Sequence, residues 1–294
     1  EFMYTPMRIG VYININSVYF INSTSVTDTT VFNLIADVDM KGIVWSDGIG
    51  CKNADFTGTI NGNDHTIKNF TFASTTEAGG FIQFCKDTTI VKNLSFDNVS
   101  VTAKEKVGAI IGYANEGTIT LENVKVNSGN INSEQYAGGL VGKTKANAFF
   151  KDCTNNATVQ AKYGPTGGSH AMVAAGILAN AQGLVDIVFD NCVNNGKVSS
   201  IHNTQSKSTV AGGIYGYSYQ SKNKVIVFIT CENNGTINIQ GAEGHKFSGE
   251  MLGGWGGNQQ ILIQVFIWKI AKQMAQHAIV MPLENVMLRN QKLY

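Results

Sequence analysis

Short runs of Val, Ile, Leu and Phe alternate with polar residues along most of the chain, and clusters of Gly, Asn, Ser and Thr separate them. This spacing predicts many short strands joined by polar turns, an all-β chain. A small-residue signature leading into an apolar strand recurs along it. It stands at Ala78-Gly79-Gly80-Phe81-Ile82, Val107-Gly108-Ala109-Ile110-Ile111-Gly112, Ala137-Gly138-Gly139-Leu140-Val141-Gly142, Ala175-Gly176-Ile177-Leu178-Ala179 and Ala211-Gly212-Gly213-Ile214-Tyr215-Gly216, and more weakly at Leu252-Gly253-Gly254-Trp255-Gly256. Each copy leads to a second strand (90–96, 119–124, 148–153, 185–192, 225–231), an Asn-rich corner and a third strand such as 158–161 or 236–240. Three short strands per turn with corners between them predict a parallel β-helix, in which each unit buries its apolar face against its neighbours.

The later repeats carry a sharper register mark. Cys153, Cys192 and Cys231 stand 39 residues apart, each followed two residues later by an Asn pair or its equivalent: Asn155-Asn156, Asn194-Asn195 and Asn233-Asn234. Equivalent side chains at this period are expected to lie over one another, so the cysteines form a ladder with Asn156, Asn195 and Asn234 as a second. Strand spacing of about 4.8 Å brings such cysteines within disulfide range; small apolar cysteines filling an interior stack as free thiols are the plainer expectation. Asn also tolerates a left-handed corner conformation, and stacked amides can bond from repeat to repeat.

The organisation expected is a lead-in over 1–30, a first module over 31–73, repeats over 74–257 and an atypical tail over 258–294. In the first module, Phe56-Thr57-Gly58-Thr59-Ile60 and Thr66-Ile67-Lys68 flank the corner Asn61-Gly62-Asn63, whose Gly and Asn are expected to supply positive φ. Glu1-Phe2 ahead of Met3 is what an EcoRI cloning site encodes, which suggests a trimmed or tagged beginning. The tail lacks the Gly/Asn/Thr character of the rest. Codons for Ile267 to Ala275 read one base early permit Leu-Glu-Asn-Cys-x-Thr-Asn-Gly, with the cysteine at position 271, so a shifted reading frame from somewhere between 257 and 267 is one expectation. An end-cap burying Ile261, Leu262, Val265, Phe266 and Ile270 is the other. The coding DNA distinguishes them.

Charge narrows the function classes. Charged residues make up 15%, net charge is +1 and the only arginines are Arg8 and Arg289, which removes the electrostatic footprint of a nucleic-acid binder. No apolar run of 18 residues offers a membrane-spanning helix. Repeat length grows from about 29 to 39 residues, and the added residues fall at 162–170, 199–208 and 241–250, a pattern expected of loops projecting from one edge.

Those loops contain His170, His202 and His245, which the fold would gather on that edge as a possible ligand site. Tyr163, Tyr215, Tyr217 and Tyr219 offer ring faces for sugar stacking, and Tyr217 and Tyr219 alternate with Ser218 so as to share a face. Asp37 and Asp39, two apart at the first module, are weighed as a metal or acid/base pair against plain polar positions. Asp152 and Asp190 read as equivalent corner positions. No catalytic residue, metal site or cofactor is assigned.

The Gly-Gly-Leu-Val-Gly and Gly-Gly-Ile-Tyr-Gly motifs resemble the GLUG repeats of bacterial surface proteins. The stretch Leu34-Ile35-Ala36-Asp37-Val38-Asp39-Met40 with Asn61-Gly62-Asn63-Asp64-His65-Thr66-Ile67 is similar to the segment preceding such repeats in large adhesins and in the non-catalytic region of IgA-cleaving metallopeptidases. The resemblance spans roughly residues 31–257 and implies a right-handed β-helix, secreted or on a cell surface, without catalytic residues. The expected function is a non-enzymatic adhesin or stalk contacting a host glycan or surface protein. A carbohydrate-active β-helix enzyme, either a polysaccharide lyase or a glycoside hydrolase, and a purely structural spacer are the alternatives.

Overall fold

The computed structural model describes residues 26–51, 54–162, 171–202, 208–220, 225–256 and 262–266. Among them the regular elements are strands, which join in parallel into sheets of 18, 7 and 6. Each segment pairs with its counterpart one repeat away. The six-stranded sheet runs from Ala78–Gly79 through Lys106–Gly108, Tyr136–Gly138, Met172–Ala175 and Thr209–Gly212 to Lys246–Gly249. The seven-stranded sheet stacks Val44–Trp45, Thr71–Ala73, Val99–Ala103, Gly129–Ser133, Thr158–Lys162, Val198–Ile201 and Ile237–Gln240 in the same way.

The large sheet takes the rest. It bends within each repeat, so that Ile82–Asp97 pairs with both Ile111–Ala114 and Thr118–Val126. A later repeat therefore shows more strand segments than the three expected. Tyr136–Gly138, Val141–Thr144, Asn147–Lys151, Thr154–Asn155 and Thr158–Lys162 follow one another within a single repeat.

A column of left-handed residues makes one of these bends. Asn93, Asn123, Asp152, Asn191 and Thr230 occupy successive repeats with φ between 48° and 54°, a conformation that Asn and Asp tolerate because their short side chains bond locally. Three readings change here. The Asn pairs after the cysteines are not the left-handed residues; the position just before each cysteine is. Asp152 and Asp190 are not equivalent, because Lys151 pairs with Asp190 and Asp152 stacks on Asn191, whose Nδ2 donates to its carboxylate at 2.6 Å. At the Asn61-Gly62-Asn63 corner the positive φ angles belong to Asn63 and Asp64, while a Cβ on Gly62 would stand 2.7 Å from Leu94 Cα.

Alternate side chains of all three sheets point inward into one apolar core. Its early repeats are filled by Trp45, Phe70, Phe81 and Phe96, with centroids 5.3–5.9 Å apart. In the later repeats identical residues stack: Phe150 on Phe189 at 4.9 Å and Phe189 on Phe228 at 5.1 Å, their planes nearly parallel. Cys153, Cys192 and Cys231 are free thiols in successive repeats. Their Sγ atoms donate to the carbonyls of Leu121, Phe150 and Phe189, respectively, in the preceding repeat. Burial and its two thiol neighbours push the Cys192 thiol well up. The Cys192 side chain acting on Cys231 draws that thiol down.

Parallel pairing continues to Leu262–Phe266, which lies along Val225–Ile229. It thus outlasts the small-residue signature, which ends near residue 257. The remaining tail, including position 271, lies outside the described residues.

Candidate functional site: a lateral groove of lysines and tyrosines

The strand before each Gly-Gly bend lies in the six-stranded sheet and the strand after it in the large sheet. Two outward positions flank the bend in every repeat. Before it stand Ala78, Lys106, Tyr136, Val173, Val210 and Phe247 in register. After it stand Phe84, Tyr113, Lys143, Asn180, Tyr217 and Gly254. The bend turns these two columns toward each other, which makes a groove along the stacking direction that is partly open at Tyr113, Tyr136, Lys143 and Tyr217 and filled where Ala78, Val173, Val210 and Asn180 are buried.

Cations and rings alternate where the second and third of these repeats meet. Lys106 Nζ lies 4.9 Å from the Tyr113 ring centroid, and Lys143 Nζ lies 5.0 Å from that of Tyr136. Lys106 neighbours Tyr136 in one sheet and Tyr113 neighbours Lys143 in the other, so the four form a chequerboard. Phe84 meets Tyr113 edge-on at 6.3 Å. Such ring faces attract cations through their quadrupole.

Lys106 is buried, pairs with Glu77 and lies 3.6 Å from Glu105. Even so, burial followed by the charges of Lys143 and Lys145 pushes it down to about 8. Lys143 is lowered for the same reasons in the same order, burial and then Lys145. Burial holds Tyr136 up at about 12, with Glu105 next in weight, so its ring carries a protonated hydroxyl at neutral pH. Further along, the groove becomes apolar. Val173, Ala179 and Val210 form a small cluster outside the main core, against which Tyr136, Tyr217 and Phe247 pack.

Of the residues singled out in the sequence, Tyr217 joins this groove, half-buried, and Tyr219 projects from the same strand with 54% of its surface exposed. Ser218 between them is buried, and Tyr215 lies wholly in the core beside Phe189 rather than on a surface. His202 is 5% exposed rather than a solvated loop residue, and its backbone N–H donates to Gln240 at 2.8 Å. His245 is half-buried, and its carbonyl accepts from Thr209. Both lie at the corner between the seven- and six-stranded sheets, where the longer connections fall. Tyr163 and His170 lie outside the described residues. Lys106, Tyr113, Tyr136 and Lys143 were not singled out, although their positions two before and five after the bend glycine Gly108 or Gly138 are readable in register.

Asn195 Nδ2 donates to Asn156 Oδ1 at 2.7 Å, and Asn234 Nδ2 to Asn195 Oδ1 at 3.0 Å, on the exposed side of the corner. A second, unforeseen ladder runs behind it. Asn155 donates to Asn194 and Asn194 to Asn233, each at 2.8 Å, and Asn233 donates to Glu250 at 2.5 Å. Asn155 and Asn194 are fully buried, and each also donates to the carbonyl two residues on. The bend glycines make room for them. A Cβ on Gly139 would stand 2.6 Å from Asn155 Cγ, one on Gly213 2.5 Å from Asn233 Cγ, and one on Gly176 closer still to Asn194.

Asp37 and Asp39 hold the first module. Asp37 accepts from the Thr66 N–H at 3.0 Å and pairs with Lys68 at 3.1 Å, and Asp39 accepts from Asn69 at 2.7 Å and from the Lys41 N–H at 2.9 Å. These bonds, the Thr66 N–H leading for Asp37 and the Asn69 amide for Asp39, draw both carboxyls below their ordinary range.

No model of a known family matches the chain. A stretch of 128 residues, 40% of this chain, is 33% identical to halomucin of Haloquadratum walsbyi. The match amounts to 1% of halomucin's length, so the chain spans a very small part of the curated relative it matches. Among solved structures, a candidate immunoglobulin A1 protease from Bacteroides ovatus aligns with a TM-score of 0.61 and 24% identity, over 84% of this chain and 74% of that one. At that identity the likeness is one of fold.

Proposed function

We propose that this chain is a non-enzymatic segment of a secreted or surface-displayed protein, a right-handed parallel β-helix that acts as a stalk or adhesin and contacts a glycan along its side. The observation that carries the reading is the lateral groove, which sets ring faces beside ammonium groups across adjacent repeats of the stack. Sugar rings present an apolar face and a polar rim, which is what such a lining complements. The fold match to the Bacteroides ovatus protein supports a β-helix, and the halomucin match supports a place outside the cell. The non-enzymatic reading is supported by Asp37 and Asp39, the carboxylates weighed as a pair, whose bonds are spent within the first module.

A glycan array probed with the full chain, run beside an assay for newly formed reducing or unsaturated sugar ends, tests this reading. Retention of one glycan class without cleavage is expected. Release of sugar ends by pure protein overturns it in favour of a carbohydrate-active enzyme, and the absence of any glycan retention favours a spacer.

A further inference from the structure

We propose that the Lys106–Tyr113–Tyr136–Lys143 chequerboard, with Lys145 beside it, is a subsite for uronic-acid units of an acidic polysaccharide lying along the stack. This deepens the glycan reading above by naming the ligand class.

The argument starts from charge. Three lysines gather at this part of the groove, and among the described residues Glu77 and Glu105 are both paired to Lys106. Among the described residues the Lys143 ammonium faces the Tyr136 ring and makes no carboxylate pair. Its partial burial and then the neighbouring Lys145 oppose its charge, with Glu105 offsetting them in part, so an anion placed there further favours the ammonium.

Shape gives the second half. Tyr113, Tyr136 and Lys143 are each partly exposed on adjacent repeats, so a ligand at this surface meets ring and ammonium together. A free carboxylate or phosphate would use the ammonium alone, and a neutral glycan the rings alone. A pyranose bearing a carboxylate uses both. Beyond Lys143 the line is filled by buried Val173, Val210 and Asn180, whose Nδ2 is committed to the Tyr217 carbonyl at 3.0 Å, so the open contact surface is that of Tyr113, Tyr136 and Lys143.

Binding of hyaluronate oligosaccharides to the full chain, followed by calorimetry or fluorescence anisotropy, tests the assignment against heparin oligosaccharides and neutral chitooligosaccharides. Hyaluronate is expected to bind, with affinity falling as NaCl rises because the contact is electrostatic. Lys143→Gln and Tyr113→Ala are each expected to weaken it about tenfold, the loss of one charge-assisted or stacking contact, while Lys125→Gln, on another face, leaves it unchanged. Lys143→Arg keeps the charge and is expected to restore most of the binding if Lys143→Gln loses it. An unshifted thermal midpoint for each variant identifies it as folded.

Heparin binding with no hyaluronate binding overturns the proposal by showing that the patch reads sulfate or bare charge. Hyaluronate binding that survives both groove substitutions also overturns it, since the ligand then sits elsewhere. Binding of neutral oligosaccharides alone overturns the uronate assignment but leaves the surface-module reading intact, whereas sugar cleavage overturns that reading and not the subsite.

Discussion

Two adjacent asparagines in each late repeat do different work, and the difference sets their cost of removal. Asn194 is buried and bonded above, below and to its own chain. Asn194→Ala leaves buried partners unsatisfied and is expected to destabilise by about 1–3 kcal/mol. Asn195→Val removes only exposed bonds and is expected to cost roughly 0.5–1.5 kcal/mol. Chemical denaturation of both variants checks this, and an equal loss in the two would contradict the buried ladder. Thr230 offers the opposite test. It is the one β-branched residue in a left-handed column otherwise made of Asn and Asp, so Thr230→Asn should stabilise by about 1 kcal/mol, seen as a raised thermal midpoint. The sequence announces an amide ladder but not which amide of the pair turns inward, since neighbouring residues of one type carry no mark of orientation. The mark lies across the repeat: glycine stands at 139, 176 and 213, facing Asn155, Asn194 and Asn233, whereas Ala109 holds that place in the repeat where Val126 replaces the amide.

At the level of elements, strand stacking decides which groups solvent can reach. Cys85, Cys153 and Cys192 are buried, Cys51 and Cys231 partly open, and burial pushes Cys85 up to about 12. An aromatic disulfide reagent on native protein should therefore label Cys51 and Cys231 quickly, and the other three only at the rate of unfolding. Rapid labelling of all five would refute the packing. The first module carries a pH dependence. Asp37 and Asp39 have folded values below their unfolded ones, so their contribution is present above about pH 4 and is lost as pH falls through the folded values. Thermal midpoints should drop between about pH 5 and 2, and less so in Asp39→Asn, which titrates nothing. Strand positions were largely legible because period-two alternation survives in every repeat. The extra segments of the large sheet were not, because a bend made by one left-handed residue does not interrupt the apolar pattern. The groove escaped for a related reason. Its two columns lie on opposite sides of a glycine bend, and only the tightness of that bend turns them face to face.

For the whole molecule, the register matters more than any one contact. Each late repeat meets its neighbours through the same columns: phenylalanine on phenylalanine, thiol on thiol, amide on amide. At the amide ladder the late repeats recur every 39 residues, as Asn155, Asn194 and Asn233 are bonded at that separation, while the strands beside the bend recur every 37. Cutting out residues 154–192 would join Cys153 directly to Val193 and set Phe150 beneath Phe228 in the place Phe189 now fills. Because the faces brought together are copies of those removed, the shortened protein should still fold with a single cooperative transition and lose only length. Gene segments encoding whole multiples of this unit can thus be gained or dropped by recombination, giving siblings of different reach that need no compensating change.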